Sequence, residues 1–359
     1  MLAGLALERA GLSPQLIGLS LGISLAAGSL TGLGSAALSA RLGRRSTLTL
    51  VGVLMSATGL DLALATGPAL LVLAGVTGML GAASVDLGPF ASVEQAVLAE
   101  AVPPSARNRA FGRYALTGGL FNAAGGLAAA FAIDPRWYFL PYAGIGLVTA
   151  VLPLAMSDHV EAGRAGRVFA SIRPLLGLAA LFALDSLGGG FVANAVIAYW
   201  LHIRFGASPA SLGPIFAGVA ALQSLSYEAS GRLSERIGLI NTMVFTHLPS
   251  NVLLLLVPLA PSLAWAVTVL LARFALSQMD VPARQAYIVS IVPPAERAGA
   301  VAVTGAVRGV AQAFGPVLAG AAIGAAAFGV PFFAGGGLKI VYDLSLFAAY
   351  RNRPAEHEV

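Results

Sequence analysis

The chain has 359 residues, 57% hydrophobic and 10% charged, with a formal net charge of +5 at pH 7. A mean hydropathy of +0.83 excludes a soluble globular chain. Cysteine is absent, which excludes a disulfide framework and thiolate metal sites. Apolar runs long enough to cross a bilayer recur from end to end, such as Leu16 to Leu38, Thr242 to Leu259 and Val301 to Ala327, and describe an all-α polytopic membrane protein. The pI of 9.9 would suggest nucleic acid in a soluble domain. Here the basic residues sit in short loops between spans, so the positive-inside pattern accounts for them and no nucleic-acid partner is expected.

The opening stretch, "MLAGLALERAGLSP", lacks the layout of a signal peptide. Beyond it, apolar runs and their Pro, Gly and charge punctuation predict eleven spans, at 14–39, 47–66, 68–91, 111–133, 137–156, 174–201, 209–230, 239–260, 262–279, 299–327 and 331–349. Alternation places loops 40–46, 92–110, 157–173, 231–238, 280–298 and the tail on one face. With the flank to Arg113, that face holds fifteen of the 21 Lys and Arg residues, among them Arg107, Arg109, Arg284 and Arg297. The asymmetry predicts that it is cytoplasmic.

Two lags relate the halves. At 195 residues, "GLSPQLIG" from Gly11 falls on "GASPASLG" from Gly206, while Leu38, Arg41 and Gly43 fall on Leu233, Arg236 and Gly238. At 190, "QAVLAEAVPPSAR" from Gln95 falls on "QAYIVSIVPPAER" from Gln285, and Asn122 on Gln312. A parallel repeat in a polytopic chain implies two helical bundles that rock about a site between them. The expected divisions are an N-terminal bundle at 1–156, a cytoplasmic linker at 157–173, a six-helix C-terminal bundle at 174–349 and a cytoplasmic tail at 350–359. The counterpart of helix 174–201 would begin before Met1, so most of a first span is expected to be missing.

Two helical halves, each with a basic turn between its second and third helix, resemble the major facilitator superfamily. The resemblance covers the whole chain apart from that span and implies a twelve-helix plan. In the family's turn signature, "AALSARLGRR" keeps Arg41, Gly43, Arg44 and Arg45 but has Ala36 and Ala40 where the family has Gly and Asp. The second copy, "GRLSERIG", keeps Gly231, Glu235, Arg236 and Gly238. By resemblance this turn locks the two cytoplasmic ends together and is released during rocking. Ala40 puts the lock in doubt in the first half, whereas Glu235 retains the acid in the second. Topology anchoring alone is the alternative for the arginines. The Gly-Pro pair of exporters is incomplete, since "NAAGGLAAA" has Gly125 and Gly126 without proline. Such glycines otherwise serve as close-packing surfaces.

Ionisable groups within spans are candidate functional residues because burying them in lipid is costly. Asp185 lies eleven residues after Pro174, about 17 Å along a helix and near the bilayer midplane. It precedes "SLGGGF", whose glycines are expected to weaken the helix and turn backbone toward a cavity. Arg273, eleven residues after Ser262, reaches a similar depth. By resemblance both belong to cavity-lining helices, so Asp185 is the candidate proton or cation site and Arg273 its partner or the anchor of an anionic substrate group. A structural salt bridge is the alternative.

Asp86 and Asp280 occupy the cytoplasmic ends of the fourth and tenth family helices, and Arg273, Ser277 and Asp280 share a helical spacing. Pairing with a nearby Arg is the plainer reading of the two acids. Asn194, Tyr199 and Trp200 lie toward the outer mouth, the aromatics as interface anchors. Arg308 and Gln312 are spaced i, i+4. His247, Thr246, Ser250 and Asn251 are read as interhelical hydrogen bonds, with a proton relay through His247 as the lesser alternative.

No metal-ligand spacing, phosphate loop or nucleophile triad occurs, so no enzyme, metal or cofactor is expected. The expected function is secondary active transport of a small organic solute by alternating access, coupled to protons, in the inner (plasma) membrane and as a monomer. Efflux is preferred on family frequency. A transport-inactive scaffold or sensor of the same fold is the alternative.

Overall fold

The computed structural model describes residues 12–64, 74–79, 88–128, 136–161, 175–293 and 296–353. In chain order the α-helices are α1 (Pro14–Leu42), α2 (Arg44–Leu64), α3 (Ala91–Ala101), α4 (Arg107–Ala128), α5 (Arg136–Val151), α6 (Leu176–Phe191) and α7 (Asn194–Phe205). They continue as α8 (Pro209–Ile237), α9 (Leu239–Leu256), α10 (Leu263–Leu276), α11 (Asp280–Ser290), α12 (Arg297–Gly324) and α13 (Val330–Tyr350). Asp86, most of the expected span 68–91, most of the linker and the last six residues lie outside the described residues.

The repeat is written into the backbone. Helices α1 and α8 each run 29 residues from a Ser–Pro start, Ser13–Pro14 and Ser208–Pro209, where proline's missing N–H leaves no gap in the helix. Both end on a glycine with positive φ, Gly43 at 92° and Gly238 at 83°, a conformation that disfavours a side chain. Gly43 N–H bonds Ser39 O at 3.1 Å, and Gly238 N–H bonds Ser234 O at 2.9 Å. Thr47 Oγ1 then returns to Gly43 O and Thr242 Oγ1 to Gly238 O, at 2.8 and 2.7 Å. At the other lag, Arg107 Nε donates to Ala99 O at 3.2 Å and Arg297 Nε to Val289 O at 3.0 Å.

Among the described residues, eight helical segments are long and apolar enough to cross a membrane. Leu147, Val148 and Val151 on α5, Phe121 on α4 and Leu225 on α8 turn outward, as a lipid-facing surface requires. The span expected at 174–201 is two helices broken at Val192–Ala193, and the whole segment reaches Phe205. The expected loops 92–110 and 280–298 are corrected as well. Their first parts are the helices α3 and α11, the latter a continuation of the α10 span after a turn at residues 277–279. Pro282 and nearby charges read as loop punctuation, yet Pro282 falls in the first turn of α11, where a proline is tolerated.

Two seams join the halves, α1 against α12 and α4 against α8, while α6 packs on α12 and α13 and α9 on α10, α11 and α13. The glycines after Asp185 face helices rather than a cavity. A Cβ on Gly190 would lie 2.1 Å from Gln312 O, and one on Gly188 would lie 2.8 Å from Gly335 O. Their absence of side chains brings α6 into contact with α12 and α13.

Candidate functional site

Apart from Arg297 at the start of α12, helices α6, α10, α11, α12 and α13 deliver seven buried charged side chains to the interior of the C-terminal half. They are Asp185, Arg273, Asp280, Arg284, Arg308, Lys339 and Asp343. Lys339 Nζ donates to Asp185 Oδ1 at 2.6 Å. Arg284 Nη1 lies 3.6 Å from Asp185 Oδ2 and bonds Asp280 Oδ2 at 2.6 Å. His247, also buried, stands between two carboxylates, with Nδ1 2.8 Å from Asp343 Oδ1 and Nε2 3.7 Å from Asp185 Oδ1. Asn251 Nδ2 donates to Asp343 Oδ2 at 2.9 Å. On α12, Arg308 Nε donates to Ser186 Oγ at 3.2 Å, one residue from Asp185. Burial of charge in a membrane interior is tolerable only with such partners.

Arg273 differs from the rest. It is 4% exposed, and its guanidinium lies over the Phe274 ring at 4.5 Å. Its Nε and Nη1 have no hydrogen-bond partner among the described residues. A stacked guanidinium keeps its charge in apolar surroundings but leaves its planar donors open to an anion.

Several expectations need correction. Asp185 is paired with Lys339, Arg284 and His247, not with Arg273. Arg284 and Asp280 are buried in α11 rather than lying in a cytoplasmic loop, and form an i, i+4 pair. Arg273, Ser277 and Asp280 do not share one continuous helix, because α10 ends at Leu276 and α11 begins at Asp280. All three are nonetheless buried, and Ser277 Oγ accepts from Gln278 Nε2 at 3.3 Å. Asn194 opens α7 and is only partly buried. Trp200 is 1% exposed and packs on Phe332 with ring centroids 4.6 Å apart, so it belongs to the core, not to an interface belt. Thr246 and Ser250 bond carbonyls of their own helix, whereas His247 and Asn251 do reach another helix.

Sequence reasoning missed Lys339 and Asp343. Both stand in "GGGLKIVYDLSLF", and their i, i+4 spacing within an apolar run was the available signal.

The two basic turns are built differently. In the first, Arg44 is buried and grips Glu100 with two bonds of 2.8 Å, while its Nη1 also donates to Val160 O at 3.0 Å. Backbone N–H groups of Arg44 and Arg45 donate to the Glu161 carboxylate at 3.0 and 2.9 Å, an anion at a helix N-terminus. Arg45 also donates to Met156 O, and Arg41 is exposed. These contacts tie the turn to α3 and to the start of the linker. In the second turn Glu235 pairs with Arg109, and Asn108 donates to Ser230 O and Ser234 Oγ. Helix α4 passes beside Gly231, where an added Cβ would lie 3.6 Å from Arg109 Cα in ordinary van der Waals contact. Arg236 is exposed. Contact across the α4–α8 seam therefore lies with the second copy, while Ala40 supplies no acid to the first.

The family model described as Major Facilitator Superfamily matches residues 1–184 and 178–359. An uncharacterized membrane protein of Saccharomyces cerevisiae is 23% identical over 354 residues, 85% of this chain and 79% of that one. Among solved structures, the human organic anion transporter MFSD10 (TETRAN) has a TM-score of 0.69 at 18% identity, covering 92% of this chain and 84% of that one. The proton:xylose symporter XylE, bound to 6-bromo-6-deoxy-D-glucose, has a TM-score of 0.73 at 16% identity, with 96% and 90% covered. The nucleoside transporter NupG has a TM-score of 0.69 at 12% identity, with 97% and 94% covered. At these identities the structural likeness is one of fold.

Proposed function

Since the chain belongs to the major facilitator superfamily, we propose that it is a proton-coupled secondary transporter of a small organic solute bearing an anionic group. The observation that carries the reading is Arg273, a buried guanidinium with two donors left without a hydrogen bond among the described residues. Charge balance supports it. Among the described residues, this cluster's cations Arg273, Arg284, Arg308 and Lys339 outnumber its carboxylates Asp185, Asp280 and Asp343 even before His247 takes a proton. A site with an excess cation favours a ligand that brings a negative charge. One structural neighbour is an organic anion transporter and another a proton symporter, which agrees with both parts of the proposal.

In this reading the solute meets Arg273, and the Asp185 cluster exchanges the proton while the halves rock. The protein acts as a monomer in the inner (plasma) membrane, and a proton that travels with the solute drives uptake in place of the efflux expected from family frequency. The competing reading, a transport-inactive scaffold, draws on Ala40. Seven charges kept in an apolar interior argue for use, because such groups are costly there. The test is reconstitution in proteoliposomes with a panel of labelled carboxylates, sugars and nucleosides under an imposed proton gradient. Gradient-driven movement of a carboxylate is expected. A gradient that moves only neutral solutes, or none, would overturn the proposal.

A further inference from the structure

We propose that His247 holds the coupled proton and that Asp185 responds by changing partner. Its Oδ1 binds Lys339 when the imidazole is neutral and His247 when the imidazole is charged. This deepens the transport reading and rests on it.

The ring is wedged between carboxylates from two helices. Nδ1 lies 2.8 Å from Asp343 Oδ1 and 3.2 Å from Asn251 Nδ2, and with Asp343 ionised the carboxylate contact places the ring proton on Nδ1. Asn251 holds the other oxygen of Asp343, which fixes the ring's orientation. The neutral ring therefore turns the bare Nε2 toward Asp185 Oδ1, 3.7 Å away. A lone pair facing a carboxylate is a vacant proton site.

Asp185 Oδ1 is also the atom that accepts from Lys339 at 2.6 Å. Its other oxygen faces Arg284, which is already bonded to Asp280. One oxygen thus serves two competing cations. A proton arriving from water on one side adds to Nε2 and makes an imidazolium that donates to both Asp343 and Asp185. Asp185 Oδ1 then leaves Lys339, whose ammonium joins Arg273 as a cation open to the anionic solute. When the solute departs, Lys339 takes back Oδ1 and Nε2 releases its proton to water on the other side. One proton and one negative charge move together, and no bond other than N–H forms or breaks.

The groups that face the ring can be named element by element. Asp343, Lys339 and the Tyr342 ring come from α13, Asp185 from α6, and Asp280 from α11, where Arg284 faces Asp185 rather than the ring. Arg273 on α10 acts on Asp185 and Asp280.

The test uses the full chain in nanodiscs with imidazole ¹⁵N-labelled histidine. The chain has 4 histidines, so the spectrum of His247→Gln identifies one resonance by its loss. That resonance is expected to pass from a neutral ring protonated on Nδ1 to imidazolium as the pH is lowered. Asp185→Asn should weaken proton binding at the ring about tenfold, and Lys339→Met should strengthen it about as much. A ring that stays neutral throughout, or that titrates identically in wild type and Lys339→Met, overturns the inference. Should Asp185→Asn fail to fold, wild type and Lys339→Met still decide the matter. No solute is present, so the two readings fail separately. Proton-driven uptake with a silent His247 sinks the proton site alone, whereas a titrating His247 without transport sinks the transport reading alone.

Discussion

Lys339 Nζ lies 2.6 Å from Asp185 Oδ1 across 154 residues of sequence, joining α13 to α6 where the two helices pack. Removing one partner of a buried pair strands the other, at about 3–5 kcal/mol. Asp185→Asn should show that loss in full as a lower unfolding midpoint in detergent. Lys339→Met should cost less, because Arg284 and His247 still face Asp185. The double variant should recover much of the loss. Exchanging the two residues should not, since a lysine at 185 would meet Arg284 and His247. Full stability of the exchanged protein would show that the pair acts alone rather than within a cluster.

Arg273 predicts the opposite pattern. With two donors lacking a hydrogen bond among the described residues, Arg273→Gln sacrifices no hydrogen bond to those residues and should leave the unfolding midpoint nearly unchanged. A charge-assisted hydrogen bond contributes about 1.5–3 kcal/mol, so affinity for an anionic solute should fall about tenfold or more. Equilibrium binding of a solute found by the proteoliposome screen provides the measurement. Loss of stability with unchanged affinity would make Arg273 structural.

How much of this could be read from sequence follows from the range of the forces involved. Helix starts at Ser13–Pro14 and Ser208–Pro209 and stops at Gly43 and Gly238 are local, so the lag of 195 exposed them. Asp185 and Arg273 stood out as lone charges in apolar runs. Counting residues from a membrane face gives only depth, however, and depth is one coordinate of three. The partner of Asp185 is decided by how α6 meets α13, and the glycines that permit that meeting looked like helix weakeners. Asp280 and Arg284 resembled a loop because their mutual pairing four residues apart neutralises them inside a helix.

Those glycines make a direct prediction. A Cβ at Gly190 would sit 2.1 Å from Gln312 O, whereas nothing lies within 4 Å of one at Gly125. Gly190→Ala must push α6 from α12, and overpacking of this kind costs about 1–3 kcal/mol or more. Gly125→Ala should be neutral or slightly stabilising through helix propensity. Thermal unfolding of the two variants side by side checks the contrast, and equal midpoints would contradict the packing role.

Arg109 and Glu235 have side chains 50% and 53% exposed, so their pair should add no more than about 1 kcal/mol to stability. Its effect should lie in the α4–α8 seam. Glu235→Lys should increase the labelling rate of a cysteine placed at Ser230, which is buried beside Asn108. Combining Glu235→Lys with Arg109→Glu should restore the slow rate. An unchanged rate in Glu235→Lys would mean that the seam is held without this pair.

The sidedness of the chain can be tested without removing any native thiol, because cysteine is absent. Ser157 and Ser208 are both exposed, and between them lies the segment Leu176–Phe205, 30 residues long enough to cross the membrane. The turn containing Arg41, Arg44 and Arg45 gathers near Ser157, since Arg45 reaches Met156 and the α2 start is capped by Glu161. Basic residues concentrate on the cytoplasmic side, so that side should hold Ser157, and one crossing puts Ser208 outside. An impermeant maleimide added to intact cells should label Ser208→Cys and leave Ser157→Cys untouched until the membrane is opened. Labelling of both from outside would mean that α6 and α7 do not cross as one span. Labelling of Ser157→Cys alone would invert the whole chain and place the arginine turn on the wrong side of the membrane.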